Sequence, residues 1–503
     1  MRALAAMLLF ASGAFAQLGG GSGATASQLP LSGRTAQNGS VTATESPVPG
    51  TTTSVNTINP TLQVSGPYTG STGSTATLPF SGKLSLREAV QRALEYNLGA
   101  VGIAQAVRQA RGQQRVARSS LLPNLNGALH VYDEQLDLAA EGLGSIPKLG
   151  ATLPAVVGPF HYFDLRATLT QTVVDMTALN NYRSSREIVR ADQYSSQDAR
   201  DLIVFAVGGA YLQAIAASAR VESVRAQLET AEALYRQTSQ KRGVGLLAQT
   251  DVNRSQVQAL TQRERLLSVQ NDLAKQKINL ARIVGLPASD GYVLSEEIPF
   301  SPPPPITEEE ALKQALVKRA DLKAAEAQAQ AARLLRSAAR AERLPSASVG
   351  GDYGLIGAQP TQSNGTFTAV GTLRIPIWPG GRTEGDIEQA DAALTQRKAE
   401  IEDLRGRIES DIRDAYLDLE AASSQVEVAV QNVRVTRETL ALTRQRFDAG
   451  VTDNVEVVQA QESVAGAELD YINSVFAHNL AKLSLARAIG GAAESLGQFL
   501  KLQ

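Results

Sequence analysis

The sequence contains no cysteine and only three histidines among its 503 residues. It can therefore form neither disulfides nor thiolate metal sites, and it has no cysteine to carry the lipid of a bacterial lipoprotein. Aromatic residues make up only 5% of the chain, which is little for the core of a large globular protein. The 48 lysines and arginines nearly balance the 50 aspartates and glutamates, so the basic excess typical of nucleic-acid binding is absent.

Motifs of catalysis are missing as well. The chain contains no P-loop, no nucleophile elbow, no HExxH pair and no cluster of histidines with carboxylates. Its polar residues instead follow helix and strand periods. The sequence therefore predicts a protein that is not an enzyme and that holds no metal or cofactor.

The first 16 residues have the pattern of an export signal. A basic start at Arg2 precedes the apolar stretch Leu4–Phe10, and Ala14–Ala16 forms the A-x-A pattern that signal peptidase cleaves after. The apolar stretch is too short for a membrane anchor, which needs about 20 residues. We therefore predict a signal peptide at residues 1–16 and a mature protein outside the cytoplasm.

Residues 17–80 contain only two charged residues, Arg34 and Glu45, and are rich in Gly, Ser, Thr and Pro. This composition predicts a disordered segment. The most apolar later stretch, Leu202–Ala217, is short and includes two glycines and Gln213. It indicates a packed helix, and no later stretch reads as a membrane helix, so entry into a membrane would require strands.

The chain contains an internal duplication. Ala210–Gly285 aligns without gaps on Ala415–Gly490, at an offset of 205, with 18 identities in 76 positions. Upstream, Glu88–Pro123 aligns on Glu310–Pro345 at an offset of 222. The predicted organisation is a first repeat at 84–298, a proline-rich linker at 299–305, a second repeat at 306–490 and a tail at 491–503. Each repeat reads as helix, two strands, long helix, turn and helix.

Four segments alternate between apolar and polar residues as two-faced strands do. They lie at about residues 124–131, 163–173, 346–355 and 365–377. Their lengths, about 8 to 13 residues, suit tilted strands that cross a bilayer. A soluble sheet with one wet face explains the alternation equally well. The predicted loop between the first two strands, Gln135–Tyr162, would lie at the cell surface.

The segment Arg382–Phe447 predicts one helix, which at 1.5 Å per residue would be about 100 Å long. Its apolar residues form two heptad stripes, so it packs on two sides. The first stripe contains Leu419, Val426, Val433, Leu440 and Phe447, and the second contains Ala421, Val428, Val435, Leu442 and Ala449. Two seams are typical of a helix in the wall of a cylinder, although a large soluble bundle also provides them.

Strands in hydrocarbon must pair every backbone group, so a sheet there has to close on itself. Four strands cannot close. Two chains would give eight strands and a barrel filled by side chains, whereas three chains would give twelve and leave a lumen. The sequence therefore predicts a homotrimer through which solutes cross a membrane.

These segments resemble the TolC family of outer-membrane efflux and secretion channels. The similarity lies in Leu121–Leu125 before the first strand, Ile375–Arg382 after the last, and the helix turns Gly243–Val252 and Arg446–Gln461. The resemblance implies an α+β membrane protein: a trimeric twelve-stranded barrel in a Gram-negative outer membrane, continued by a periplasmic coiled-coil tunnel. It would act as the passive channel of a tripartite efflux pump or type I secretion system, with a periplasmic adaptor (membrane fusion protein) and an inner-membrane transporter as partners.

The resemblance also implies site residues at the turns between the long helices. Gly245, Leu246, Gly450 and Val451 match the tips that contact the adaptor. Glu456, Gln459, Thr250, Asp251, Phe447 and Thr452 match residues of the pore entrance and its gate. Gln459 is not acidic, Phe447 lacks a phenol hydroxyl and Thr452 lacks a positive charge, so the closing contacts would differ from the family pattern. Simple solvated helix faces are an equal explanation for Asp251 and Glu456.

A different class of protein is also compatible with long coiled coils: a soluble periplasmic scaffold or adaptor. Such a protein would normally have one helical hairpin flanked by compact β domains, and high salt would release it from membranes. Here, strands enter each repeat as pairs at the same place, which favours the channel.

Overall fold

A computed structural model of the chain describes residues 40–48, 57–72, 80–138, 140, 154–287, 291–295, 300–302 and 305–500. The predicted signal peptide lies outside these residues. So do residues 17–39 of the predicted disordered segment and part of the proline-rich linker.

Both halves contain two helices, two strands and two further helices in the same order, and other short elements flank this repeated set. The strands are β1 Val41–Val48, β2 Thr57–Val64, β3 Lys83–Leu84, β4 Asn124–Asp137, β5 Val156–Val174, β6 Val293–Leu294, β7 Ser346–Gly357 and β8 Ser363–Arg374. The helices are α1 Leu86–Tyr96, α2 Leu98–Ser119, α3 Met176–Gly243, α4 Gln249–Val284, α5 Glu308–Lys318, α6 Ala320–Ala341, α7 Arg382–Asp448, α8 Asn454–Ile489 and α9 Ala492–Leu500. The long helix predicted at Arg382–Phe447 is confirmed as α7.

The bounds of these elements obey the offsets found in the sequence. Helices α1 and α2 become α5 and α6 when 222 is added to their residue numbers, and α4 becomes α8 when 205 is added. Helices α3 and α7 also end at positions 205 apart. The two halves of the chain therefore form their secondary structure at equivalent positions.

The chain divides into two compact units, and each takes residues from both halves. The first unit contains Gln109–Val189 and Ala327–Lys398 among its described parts. The second contains Arg190–Glu326 and the described residues of Ser32–Arg108 and Ala399–Gln503. The compact units therefore do not coincide with the sequence repeats.

The first unit contains a four-stranded antiparallel sheet in the order β4, β5, β7, β8. All four strands predicted from the alternation are confirmed. The predicted loop Gln135–Tyr162 is wrong at both ends, because β4 continues to Asp137 and β5 begins at Val156. The extra strand residues pair with each other across the hairpin, for example Tyr132 with Tyr162.

The two faces of this sheet differ in chemistry. On one face Arg166 forms ion pairs with Asp164, at 3.0 Å, and with Asp352. The other face exposes large apolar side chains, namely Leu125, Leu129, Val131, Leu165, Leu169, Val349, Tyr353, Leu355, Phe367 and Leu373. An exposed apolar face of this extent is unusual for a protein in water. It is typical of a surface that contacts a membrane or another protein.

Small residues bring helices close together in the first unit. The hydroxyl of Ser184 on α3 donates to the carbonyl oxygen of Ala331 on α6 at 3.0 Å. About two turns away on each helix, Thr177 donates to the carbonyl oxygen of Ala338 at 3.3 Å. Both alanines are fully buried, so the side-chain hydroxyls can reach the neighbouring helix backbone.

The core of the second unit is built around α3, α4 and α8. Ile203 and Val204 on α3 are completely buried, as are Leu280 on α4 and Leu483 on α8. The predicted packed helix at Leu202–Ala217 is therefore confirmed. By length and composition, however, α3 does contain one 18-residue window apolar enough to cross a membrane, with 67% of that window buried in the protein.

The prediction of disorder is wrong for residues 40–48 and 57–72. Strands β1 and β2 pair in an antiparallel hairpin, and Tyr68 behind them is only 2% exposed. Val41 and Leu62 join the core of the second unit, where Leu62 lies against Gly209 of α3. The prediction from composition failed because a few apolar residues are enough to order a segment when the helices already provide a surface on which they can pack.

We predict that Gly208→Val lowers stability. A Cβ at Gly208 would lie 2.7 Å from Cδ2 of Leu483, which is fully buried and has little room to move. Overpacking of this kind costs about 1–3 kcal/mol. The control is Gly466→Val on α8, where a Cβ would meet nothing within 4 Å. Thermal unfolding of the purified protein, followed by circular dichroism, should show a lower midpoint for Gly208→Val alone; equal midpoints would contradict the packing argument.

Candidate functional site at the helix turns

The two turns between the long helices use the same hydrogen-bond motif. In the first, the amide of Gly245 donates to the carbonyl of Arg242 at 2.8 Å and that of Leu246 donates to Lys241 at 2.9 Å. In the second, Gly450 donates to Phe447 at 3.2 Å and Val451 to Arg446 at 2.9 Å. This is the Schellman arrangement, and it requires a left-handed residue, here Gly245 with φ 78° and Gly450 with φ 73°.

The predicted tip residues project from these turns. Leu246 is 72% exposed and Val451 is 69% exposed, and a Cβ on either glycine would meet nothing within 4 Å. The turns therefore present apolar side chains on a rigid, open backbone, which suits contact with another protein. The role of these four residues in adaptor contact stays a prediction.

Polar contacts link the end of α3 to the end of α7. The ammonium of Lys241 lies 4.3 Å from the ring centroid of Phe447 and 3.3 Å from the carboxylate of Asp448. Gln237 also donates a hydrogen bond to Asp448. Since Lys241 is in the last turn of α3, its charge also complements the negative end of that helix.

Phe447 lies in the core of this contact and is only 4% exposed. It packs with Leu234 of α3 and Val457 of α8. Phe447 therefore anchors the turn within one chain. Its predicted role in the gate would have to act through that anchor, because the ring itself is covered.

The beginnings of α4 and α8 also contact each other. The side-chain amide of Asn454 donates to the carbonyl oxygen of Asp251 at 2.9 Å. Asp453 caps α8, since its carboxylate accepts from the amides of Val455 and Glu456 at 3.0 and 3.3 Å. The Asp251 carboxylate lies 3.4 Å from Arg254 on its own helix.

The remaining predicted gate residues differ in their surroundings. Glu456 is exposed and pairs with Arg446 across the turn at 3.3 Å. Gln459, one turn along α8, and Thr250, on α4, are exposed. The hydroxyl oxygen of Thr452 is buried and has no hydrogen-bond partner among the described residues. The structure thus brings Glu456 beside a cation that the sequence reasoning did not identify.

A polar layer crosses the helices further from the turns. The Glu468 carboxylate accepts from Arg437 at 2.6 Å and from Ser223 at 2.7 Å. Burial disfavours its charged form, but these hydrogen bonds outweigh burial and hold the pKa of Glu468 below its ordinary value. A cavity of about 80 Å³ beside it is lined by Gln227, Gln258, Gln262 and Gln461, among others. Such a volume with polar walls suits ordered water.

Three of the missed residues had recognisable sequence signals. Asp453 followed three residues later by Glu456 is a helix-start pattern, and Lys241 and Arg446 lie in the last turns of their helices, where basic residues are favoured. Nothing in the sequence indicated that Asn454 would reach the Asp251 carbonyl.

Comparison with known proteins agrees with this fold, which is that of outer-membrane channels of known structure. A sequence profile described as outer membrane efflux protein matches residues 89–286 and 311–491, which is more than half of the chain. The chain belongs to this family, and the resemblance to TolC-type channels is confirmed. Its function is that of an outer-membrane channel in efflux.

Characterised relatives cover most of the chain. It is 27% identical over 424 residues to outer membrane protein OprJ of Pseudomonas aeruginosa, covering 81% of this chain and 84% of that protein. It is 25% identical over 423 residues to the pyoverdine export outer membrane protein OpmQ of the same organism, covering 82% and 86%. TolC of Vibrio cholerae is 26% identical over 299 residues, 58% of this chain and 68% of that protein.

Solved structures share the fold. A membrane protein from Pseudomonas aeruginosa matches with a TM-score of 0.71 at 21% identity, over 81% of this chain and 90% of its own. The outer membrane protein VceC of Vibrio cholerae matches with a TM-score of 0.69 at 20% identity, over 81% and 96%. At such identities the likeness concerns the fold alone.

We predict that Gly450→Ala loosens the second turn. A left-handed conformation costs a residue with a Cβ about 1–2 kcal/mol. Hydrogen–deuterium exchange should therefore become faster at the amide of Val451, whose bond to Arg446 closes the motif. The matched control is Gly243→Ala at the helical end of α3, where φ is not positive and no atom lies within 4 Å of the added Cβ. Unchanged exchange in Gly450→Ala would contradict the motif's dependence on glycine.

Proposed function

We propose that three copies of this chain form a twelve-stranded barrel in the outer membrane, continued by a helical tunnel in the periplasm, and that exported substrates leave through it. An export signal at residues 1–16 would deliver the chain across the inner membrane. The observation that carries the proposal is the four-stranded sheet with one exposed apolar face and two unpaired edges.

The height of the apolar face fits a membrane. It begins at the row of Ala347 and Leu373 and ends at the row of Val131, Phe163 and Gly357. Ten residues of β7 separate these rows, which is about 34 Å along a strand. With a tilt of about 40° this corresponds to a height of about 26 Å, close to the apolar band of outer-membrane barrels, about 25 Å. In the row beyond it, the face becomes polar, with Nδ1 of His161 lying 3.3 Å from the carboxylate of Asp133.

The edges of the sheet supply the argument for three copies. Strands β4 and β8 each pair with one neighbour, so their outer edges carry unpaired backbone groups. In hydrocarbon these groups need partners, which another copy of the chain provides. Twelve strands leave room for a lumen lined by the polar face, whereas eight strands are filled by side chains.

The helices also support assembly with further copies of the chain. In the first heptad stripe of α7, Leu419 and Val426 are buried within the chain. In the second, Val428, Val435 and Leu442 are between 53% and 67% exposed. Helix α4 exposes a similar stripe with Val257, Leu260 and Leu267. Each chain therefore has two unpartnered apolar seams, which neighbouring copies would cover in a closed ring.

Because the chain has no native cysteine, introduced cysteines can test the proposed ring of three copies directly. We predict that Asn126→Cys on β4, combined in turn with single cysteines along β8, gives covalent trimers at one register after oxidation. The measurement is non-reducing gel electrophoresis of membranes from expressing cells. Asn126→Cys with cysteines along β7 is the control and should remain monomeric, because β7 is an inner strand. Covalent dimers alone, or no products at any register, would contradict a trimer.

The partners we propose are a periplasmic adaptor and an inner-membrane transporter, which supplies the energy. Support comes from the apolar turn residues and from a groove of about 320 Å³ beside them. The groove lies between α3 and α7 and is lined by Glu229, Thr230, Ala233, Leu234, Gln237, Arg444, Phe447 and Asp448. Mixed apolar and charged walls suit a helical hairpin of the adaptor.

At the proposed entrance, three copies of Glu456 would favour cations, and Arg446 at 3.3 Å would oppose this effect. We predict that Glu456→Gln lowers the preference for cations over anions, or the block by multivalent cations, whereas Arg446→Gln raises it. Single-channel conductance and reversal potentials in planar bilayers measure both. The control is Glu427→Gln on α7, about 30 Å from the turn along the helix and beyond the screening length of about 10 Å at 0.1 M salt. Identical selectivity in all variants would exclude Glu456 from the entrance.

A further inference from the structure

Four rings form a patch on the hairpin of β4 and β5. This aromatic patch consists of His130, Tyr132, Phe160 and Tyr162. The rings of Tyr132 and Tyr162 stack with centroids 4.6 Å apart, Phe160 lies 6.0 Å from Tyr162, and His130 lies 5.9 Å from Tyr132. Aromatic content is low in this chain, so four neighbouring rings on two strands are a local concentration.

The patch extends beyond the part of the sheet that matches the membrane. Strand β7 ends at Gly357, opposite Phe163, so the hairpin continues past it as only two strands. Alternation places the rings on the same face as Asp164 and Arg166, which is the face that lines the lumen in the proposed barrel. The opposite face at this level carries the polar pair Asp133 and His161 instead of apolar residues. The aromatic patch therefore lies on the lumen side at the outer mouth.

Negative charge accompanies the rings. The hydroxyl of Tyr162 donates to the Glu134 carboxylate at 3.2 Å, which holds this carboxylate beside the rings. Asp164 follows on the same face, and Arg166, a cation on that face, forms ion pairs with Asp164 and Asp352. Rings with an adjacent carboxylate attract organic cations, through their π faces and through charge.

We propose that the aromatic patch with Glu134 is an exit site that binds amphiphilic organic cations as they leave the channel. The site rests on the proposed function, because the barrel places it in the lumen. This exit site would be separate from the charge that Glu456 would supply at the entrance. Glu456 lies at the turn between α7 and α8, whereas the aromatic patch lies on the hairpin of β4 and β5, which would face the cell exterior. A conduit site must bind weakly enough to release its cargo, and partly exposed rings provide weak contacts.

The test uses tetraphenylphosphonium as the probe and tetraphenylborate as its shape-matched anion. With the purified trimer in a planar bilayer, tetraphenylphosphonium added on the extracellular side should block the potassium current. The anion should block at least five-fold more weakly. Equal block by both ions would overturn the proposal, because a merely apolar surface does not distinguish their charge.

Variants locate the site. The double variant Tyr132→Leu with Tyr162→Leu keeps apolar bulk but removes the π faces, and should weaken the block at least five-fold. Glu134→Gln should weaken it about three-fold. His161→Leu, on the opposite face of the same hairpin, is the matched control and should leave the block unchanged. Block of wild-type strength in the double variant would overturn the proposal.

Isothermal titration of the detergent-solubilised protein with tetraphenylphosphonium separates this proposal from the proposed function. A protein that conducts no current but binds the probe through Tyr132 and Tyr162 would refute the channel and retain the site. A conducting trimer with no difference in binding between wild type and the double variant would refute the site and retain the channel. Tyr162→Phe keeps the ring without its hydrogen bond to Glu134, so it should still bind and shows whether the hairpin tolerates substitution.

Discussion

Backbone hydrogen bonding at the two outer edges of the sheet is the constraint on which the rest of the structure depends. The inner strands β5 and β7 are paired on both sides, but β4 and β8 are paired on one side only. In water such edges are tolerated; in hydrocarbon each unpaired group costs several kcal/mol. The proposed function places this sheet in hydrocarbon, because its apolar face is about as tall as a membrane core. In that setting one chain would be incomplete by itself, and further copies would have to close the sheet.

The helices also leave part of their apolar surface uncovered. Helix α7 buries Leu419 and Val426 within its own chain and leaves Val428 and Val435 exposed on a second seam. An exposed apolar heptad stripe is unusual on a soluble monomer, because contact of apolar side chains with water is unfavourable. Sheet and helices therefore both support the proposed assembly, for different physical reasons. The sheet leaves backbone hydrogen-bonding groups unpaired at its edges, and the helices leave apolar surface uncovered.

The parts of the fold that depend on local periodicity could be predicted from the sequence. Alternation located all four strands of the antiparallel sheet, and Gly245 and Gly450 located the ends of α3 and α7, because strand period and left-handed glycine are properties of a few consecutive residues. The hairpin of β1 and β2 was missed because its stability depends on helices more than a hundred residues away. Likewise, the extension of β4 and β5 depends on cross-strand pairs such as Tyr132 with Tyr162, which composition does not reveal.

The turns show why site residues are harder to predict than elements. Phe447 matched a gate position in the sequence, yet it is buried beneath Lys241, and Asn454 contacts a backbone oxygen that belongs to the other half of the chain. These contacts join the halves in pairs: Lys241 to Asp448 links α3 to α7, and Asn454 to Asp251 links α8 to α4. Separating the two turns of one chain must break both links. Moving all four helix ends as one body breaks neither. In the proposed trimer, the contacts within a chain would therefore favour motion between copies over motion between its own two halves.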